Sequence, residues 1–151
     1  MRLAAKDCGD KIMIWNAQSW QVELTMRCHD EPAFAADGSR SLAWSPAGER
    51  LAAGTSEGEL ILWNAQTGQR LSTFGGHTGG IRAVAWSPDG RRLASGGEDR
   101  MLRIYDATTG KELLTLECEK TWIHTVAWSP DGSRLIAGNR EIRLWDAPGM
   151  R

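Results

Sequence analysis

The chain has 151 residues, a formal net charge of −1, 41% hydrophobic and 25% charged residues. That balance is globular: it leaves no basic footprint for nucleic acid, no acidic tail and no apolar run approaching a membrane span. Cys8, Cys28 and Cys118 form no Cys-x-x-Cys pair, which argues against a disulfide framework or a structural zinc.

The first residues, Met-Arg-Leu-Ala-Ala-Lys-Asp-Cys-Gly-Asp-Lys, are too charged for a secretion signal, so a cytoplasmic location is the expectation. From there, short apolar runs alternate with Gly- or Pro-containing turns about every eight to twelve residues, which is strand punctuation. Strands are predicted near 3–6, 11–15 and 21–25, then 41–45, 50–54, 59–63 and 70–74. They continue near 81–86, 92–96, 101–105 and 112–116, and end near 123–128, 134–137 and 141–145. No segment carries a helical pattern of useful length. Ala83-Val84-Ala85-Trp86 is apolar throughout, as a strand covered on both faces should be, while Leu102-Arg103-Ile104-Tyr105 alternates as a half-buried one does.

Trp44, Trp86 and Trp128 each open a Trp-Ser-Pro-x-Gly turn at a constant spacing of 42 residues. Proline at the second place of Ser45-Pro46-Ala47-Gly48, Ser87-Pro88-Asp89-Gly90 and Ser129-Pro130-Asp131-Gly132 presets φ, and glycine at the fourth tolerates positive φ, which suits a type I turn closing a hairpin. A second turn recurs as Asn64-Ala65-Gln66-Thr67-Gly68 and Asp106-Ala107-Thr108-Thr109-Gly110. Trp63 and Trp145 are likewise equivalent, so the tryptophan excess is repeat copying rather than a ligand cage. A unit this short cannot bury its own apolar faces; neighbours must do it, and the product is a stacked or radial array.

Residues 75–107, GGHTGGIRAVAWSPDGRRLASGGEDRMLRIYDA, resemble a repeat of the WD-repeat β-propeller family. Gly76-His77 stands at the signature glycine-histidine and Trp145-Asp146 at the signature tryptophan-aspartate, softened to Trp63-Asn64, Trp15-Asn16 and Tyr105-Asp106. The resemblance covers essentially the whole chain and implies an all-β fold of four-stranded antiparallel blades around a channel. The blades fall at about 3–25, 39–74, 80–117 and 122–147, the first without its inner strand and the last without its outer one. Rings of this family commonly have about seven blades within a general range of about four to eight. An incomplete ring, an arc of about four blades, is therefore expected, either an excerpt of a longer propeller or a chain whose copies associate.

The resemblance also implies a buried hydrogen-bond network of His77, Ser95 and Asp99, with Tyr105 where tryptophan is usual. Read as a catalytic triad, the same residues need an exposed nucleophile and an oxyanion site, neither of which the sequence suggests. Other repeats have lost the set: Ala53 and Glu57 replace Ser95 and Asp99 in the second, Ala5 and Gly9 in the first, and Ala137 replaces the serine in the last. Apolar packing is expected to hold those blades.

By the same alignment Arg40, Ser56, Arg82, Glu98, Trp122 and His124 surround the usual binding face. Trp122 lies outside the repeated tryptophan positions and has the look of an interface anchor, or alternatively of a cover for a blade edge. The connection from His29 to Trp44 is longer than that from His77 to Trp86, and its segment Asp30–Ala35 is either a partner-contacting loop or slack. Cys28-His29 lacks a companion pair for metal. The leading expectation is a non-catalytic scaffold presenting loops to a protein or peptide, with no cofactor. Alternatives are a regulatory part of a larger signalling protein, such as one joined to a protein kinase, and a hydrolase with carboxylates lining the channel. The inner strands Leu42-Ala43-Trp44, Val84-Ala85-Trp86 and Val126-Ala127-Trp128 supply no such carboxylates.

Overall fold

The computed structural model describes residues 1–6, 11–28, 39–118, 121–138 and 141–146. Its strands are β1 (Arg2–Lys6), β2 (Lys11–Asn16), β3 (Val22–Arg27), β4 (Ser39–Trp44), β5 (Arg50–Thr55), β6 (Leu60–Asn64) and β7 (Arg70–Phe74). There follow β8 (Ile81–Trp86), β9 (Arg92–Gly97), β10 (Met101–Asp106), β11 (Glu112–Glu117), β12 (Thr125–Trp128), β13 (Arg134–Gly138) and β14 (Ile142–Asp146). They pair antiparallel in chain order into four sheets: β1-β2-β3, β4 to β7, β8 to β11, and β12-β13-β14. Each strand lies where the alternation of apolar runs and turns predicts one, and the described residues hold no helix. Two starts differ from the expected ones by two residues: β4 begins early, at Ser39, and β12 late, at Thr125. There Ile123 N bonds Gly97 O at 3.0 Å, so the chain is held to the preceding sheet before it joins its own.

Turn chemistry closes the hairpins. Gly48, Gly90 and Gly132 all take φ near +70°, and each donates its N–H to the serine carbonyl three residues back at 2.8–2.9 Å. The same serines also accept, through Oγ, the N–H of Arg50, Arg92 and Arg134, so each turn is closed by side chain as well as backbone. In the second turn type, Asn64 Oδ1 and Asp106 Oδ1 each take two backbone N–H groups. The first sheet repeats that turn on Asn16, but Trp20 stands where Gly68 and Gly110 stand elsewhere, at φ 57°.

Strand period then decides what each face meets. In sheet 2, Leu51, Ala53, Ile61 and Trp63 turn back onto Ile12, Ile14 and Met26 of sheet 1, while Ala52, Leu60, Leu62 and Phe74 turn forward onto sheet 3. In sheet 3, Ala94, Leu102 and Ile104 meet Ile123, just ahead of β12, and Val126, Leu135 and Ala137 of the fourth sheet. Mutual burial at these three seams is the main stabilising term, since no sheet has a core of its own.

Three recurring contacts make the seams specific. Glycine opens a slot for the isoleucine of the next sheet: a Cβ on Gly54 would lie 2.3 Å from Ile81 Cγ2, and one on Gly96 2.3 Å from Ile123 Cγ2. The inner-strand tryptophans donate backwards, Trp86 Nε1 to Ala43 O at 3.0 Å and Trp128 Nε1 to Ala85 O at 3.4 Å. Arginine reaches forwards, Arg2 Nη1 to Ala65 O at 2.8 Å and Arg50 Nη1 to Ala107 O at 3.3 Å. The result is an arc of sheets that does not close into a ring.

Candidate interaction surface

Two polar constellations stand out, one sealed and one open. In the sealed one His77 Nδ1 lies 2.9 and 3.0 Å from the two Asp99 oxygens, and His77 Nε2 lies 2.7 Å from Ser95 Oγ. Burial holds the His77 imidazole below its ordinary pKa although Asp99 pulls the other way. In the neutral ring Nδ1–H donates to the carboxylate, which can only accept, and Nε2 accepts from the serine hydroxyl. Asp99 also takes the backbone N–H of Thr78 at 3.2 Å and of Met101 at 3.1 Å, tying the segment before β8 to the turn after β9. Tyr105 Oη donates to Gly75 O at 3.1 Å, and burial pushes its hydroxyl up to about 12.

The order Ser–His–Asp is that of an acyl-transfer triad, but Ser95 is 0% exposed and sits in the middle of β9, so no carbonyl carbon can approach its Oγ. What the trio can do is hold register, because each buried polar group is satisfied by another.

Sheet 2, whose residues at the network positions are Ala53 and Glu57, has a polar device that sequence comparison overlooks. Buried Thr55 accepts through Oγ1 the N–H of Glu57 at 3.3 Å and of Glu59 at 3.1 Å. Glu59 N is the counterpart of the Met101 N that Asp99 takes in sheet 3, so a threonine on the strand does the turn-closing work of a carboxylate in the loop. Apolar packing is thus not the sole tie in that sheet. The signal was present as a β-branched hydroxyl at the strand end.

The open constellation lies at the seam of sheets 3 and 4. Register skips one residue between Ile81 and Ala83, leaving Arg82 as the extra residue of a β-bulge, a device that re-aims a side chain. Arg82 Nε and Nη2 both bond Glu98 Oε1, at 3.1 and 2.7 Å. With its edge so fixed, the guanidinium lies over Trp122, 4.9 Å from the ring centroid, and Trp122 in turn stacks on His124 with centroids 6.3 Å apart and planes 13° from parallel. The backbone under this stack is pinned on both sides, by Ile123 N to Gly97 O and His124 N to Gly138 O, each 3.0 Å. Trp122 remains 47% exposed. Arg82 Nη1, Trp122 Nε1 and the His124 ring nitrogens make no hydrogen bond to any described residue.

Of the six residues expected on this face, the structure brings together four: Arg82, Glu98, Trp122 and His124. Ser56, at the repeat position of Glu98, is half-buried with an Oγ that has no hydrogen-bond partner among the described residues. Arg40 occupies the matching bulge of β4, between Ser39 and Ser41, but its side chain lies outside the described residues. So do His29, Cys8, Gly9 and the segment Asp30–Ala35. Beside the stack, Cys118, Ile123, Ala137, Glu141 and Arg143 help line a cleft of about 20 Å³, room for a water and not for a small-molecule substrate. Among the described residues no three His, Cys, Asp or Glu side chains are grouped to hold a metal.

Comparison with known proteins bears on the repeat first. The family model "WD domain, G-beta repeat" matches residues 68–106 and 110–146, and the "Anaphase-promoting complex subunit 4 WD40 domain" model matches residues 11–81. The chain belongs to the WD40 repeat family. A WD40 propeller chain in the crystal structure of a mitotic checkpoint complex superposes with a TM-score of 0.82 at 24% identity, over 97% of this chain and 44% of that one. This chain therefore spans less than half the length of that neighbour. As many as 1422 chains of solved structure match, so the shared fold picks out no single activity, and function must be argued from the surface.

Proposed function

We propose that this WD40 arc is a non-catalytic interaction module that grips a protein or peptide with the Arg82–Trp122–His124 stack. The observation that carries the reading is that this stack is exposed, rigidly backed and rich in N–H donors that no described residue accepts. Tryptophan and arginine are the side chains that most often anchor interfaces, and a bulge plus two N–H bonds to one Glu98 oxygen lower the entropy that an anchor otherwise loses on binding. Such a surface favours a partner offering backbone carbonyls or carboxylates beside an apolar side chain. WD40 proteins commonly act as interaction scaffolds, and the fold neighbour comes from a complex; both support the reading.

The test is affinity capture with the chain and with an Arg82→Ala/Trp122→Ala variant, each checked for native far-UV circular dichroism. Partners retained by the parent are expected to be lost by the variant, with a loss on the order of 2 kcal/mol or more in a purified pair. An unchanged capture profile from a folded variant removes this face from consideration.

A further inference from the structure

One edge of the Arg82 guanidinium is occupied and another is open. The planar group presents a pair of N–H bonds along the side shared by Nε and Nη2, and a second pair across the end shared by Nη1 and Nη2. Glu98 Oε1 takes the side, 3.1 Å from Nε and 2.7 Å from Nη2. No described residue accepts from the end, and the Arg82 side chain is 30% exposed. Its guanidinium carbon lies 4.9 Å from the Trp122 ring centroid, so a group docked on the end edge comes to lie beside the exposed indole. Both residues stand over the seam of sheets 3 and 4, whose facing sides are already packed together, so their exposure does not turn on what adjoins either end of the arc.

The shape of that edge selects its ligand. Two parallel N–H donors match two oxygens on one atom, which a carboxylate supplies and a backbone carbonyl does not. A phosphate also has paired oxygens, but it brings nearly two negative charges. Arg82 already shares its charge with Glu98, so a dianion meets about twice the repulsion from that carboxylate that a monoanion meets. Next to the edge the indole offers an apolar surface. The cleft beside Trp122 has room only for a water, so an apolar side chain of the ligand packs on the ring and does not enter the cleft.

Resting on the reading that this stack is the gripping surface, we propose that its ligand is a peptide segment carrying an aspartate or glutamate next to an aliphatic residue. The carboxylate forks onto Arg82 Nη1 and Nη2, and the aliphatic side chain lies on Trp122. Glu98 is a positioning residue: it holds the guanidinium by its side and so turns the end outward, at the cost of some repulsion toward the incoming acid.

The probe is an array of short Gly/Ser peptides in which two adjacent central positions run through every residue type and phosphoserine, read with the labelled full chain. The tightest peptides are expected to pair Asp or Glu with Leu, Ile, Val or Met. Arg82→Ala, checked for native circular dichroism, is expected to lose the preference for an acid. Arg82→Lys keeps the charge without the fork and is expected to bind the best peptide about tenfold more weakly. Glu98→Gln keeps an oxygen for Nε and Nη2 while removing the repelling charge, and is expected to bind it about two- to fivefold more tightly. The proposal is overturned by an array without selectivity, by one led by neutral peptides or by phosphoserine, by an Arg82→Lys chain as tight as the parent, or by a Glu98→Gln chain that is no tighter. Neutral peptides that still need Arg82 and Trp122 sink the carboxylate alone and leave the interaction surface in place; peptides held equally by the folded Arg82→Ala/Trp122→Ala chain sink both.

Discussion

Gly96→Ala tests the glycine slot that lets one sheet seat on the next. Gly96 lies in β9 at an ordinary strand φ, so an added methyl is opposed by neighbours and not by backbone strain. Its Cβ would sit 2.3 Å from Ile123 Cγ2, 2.8 Å from Ile123 Cβ and 3.0 Å from Val126 Cγ2. Ile123 cannot swing away cheaply, because it is buried and its own N–H is bonded to Gly97 O. Overpacking of this kind costs about 1–3 kcal/mol, against about 0.4–1 kcal/mol gained by restricting the unfolded chain. The net expectation is a destabilisation of about 1–2 kcal/mol. Urea unfolding followed by tryptophan fluorescence measures it, with Gly75→Ala, whose Cβ would meet nothing within 4 Å, as the control expected to gain about 0.4–1 kcal/mol. A double-mutant cycle isolates the contact: Ile123→Ala alone costs about 2–5 kcal/mol, and combined with Gly96→Ala it is expected to cost at least about 1 kcal/mol less than the sum. Strict additivity, or a Gly96→Ala variant as stable as the control, refutes the slot.

Two further outcomes follow from the sealed network and the odd turn. His77 has its pKa lowered in the fold, so below the unfolded value near 6.5 the unfolded chain takes the proton first; stability is full above that pH and falls as pH drops toward 5. Urea unfolding from pH 8 to 5 is expected to show that decline and His77→Gln to flatten it, whereas stability rising toward pH 5 contradicts the assignment. Trp20 holds a left-handed conformation at φ 57° while 71% exposed, so Trp20→Gly relieves about 1–2 kcal/mol of backbone strain and gives back about 0.4–1 kcal/mol through the unfolded state. A net gain of about 0.5–1 kcal/mol in thermal or urea unfolding is expected, and a loss shows that the indole makes contacts worth more than the strain.

The sequence by itself determined the strands, the turns and their repetition. These are local matters: proline and glycine at fixed turn positions set the backbone, and apolar alternation sets which side of each strand is buried. The network of His77, Ser95 and Asp99 was legible only through the family resemblance, since its members stand at family positions that the other repeats of this chain have lost. Tertiary structure alone decided how residues far apart in the chain use the seams. That Gly96 is a slot depends on Ile123 arriving over it, and that Trp86 binds Ala43 depends on two inner strands lying side by side. Arg82 pointed to a binding face in the sequence, but only the bulge and the Glu98 contact lay its guanidinium on Trp122.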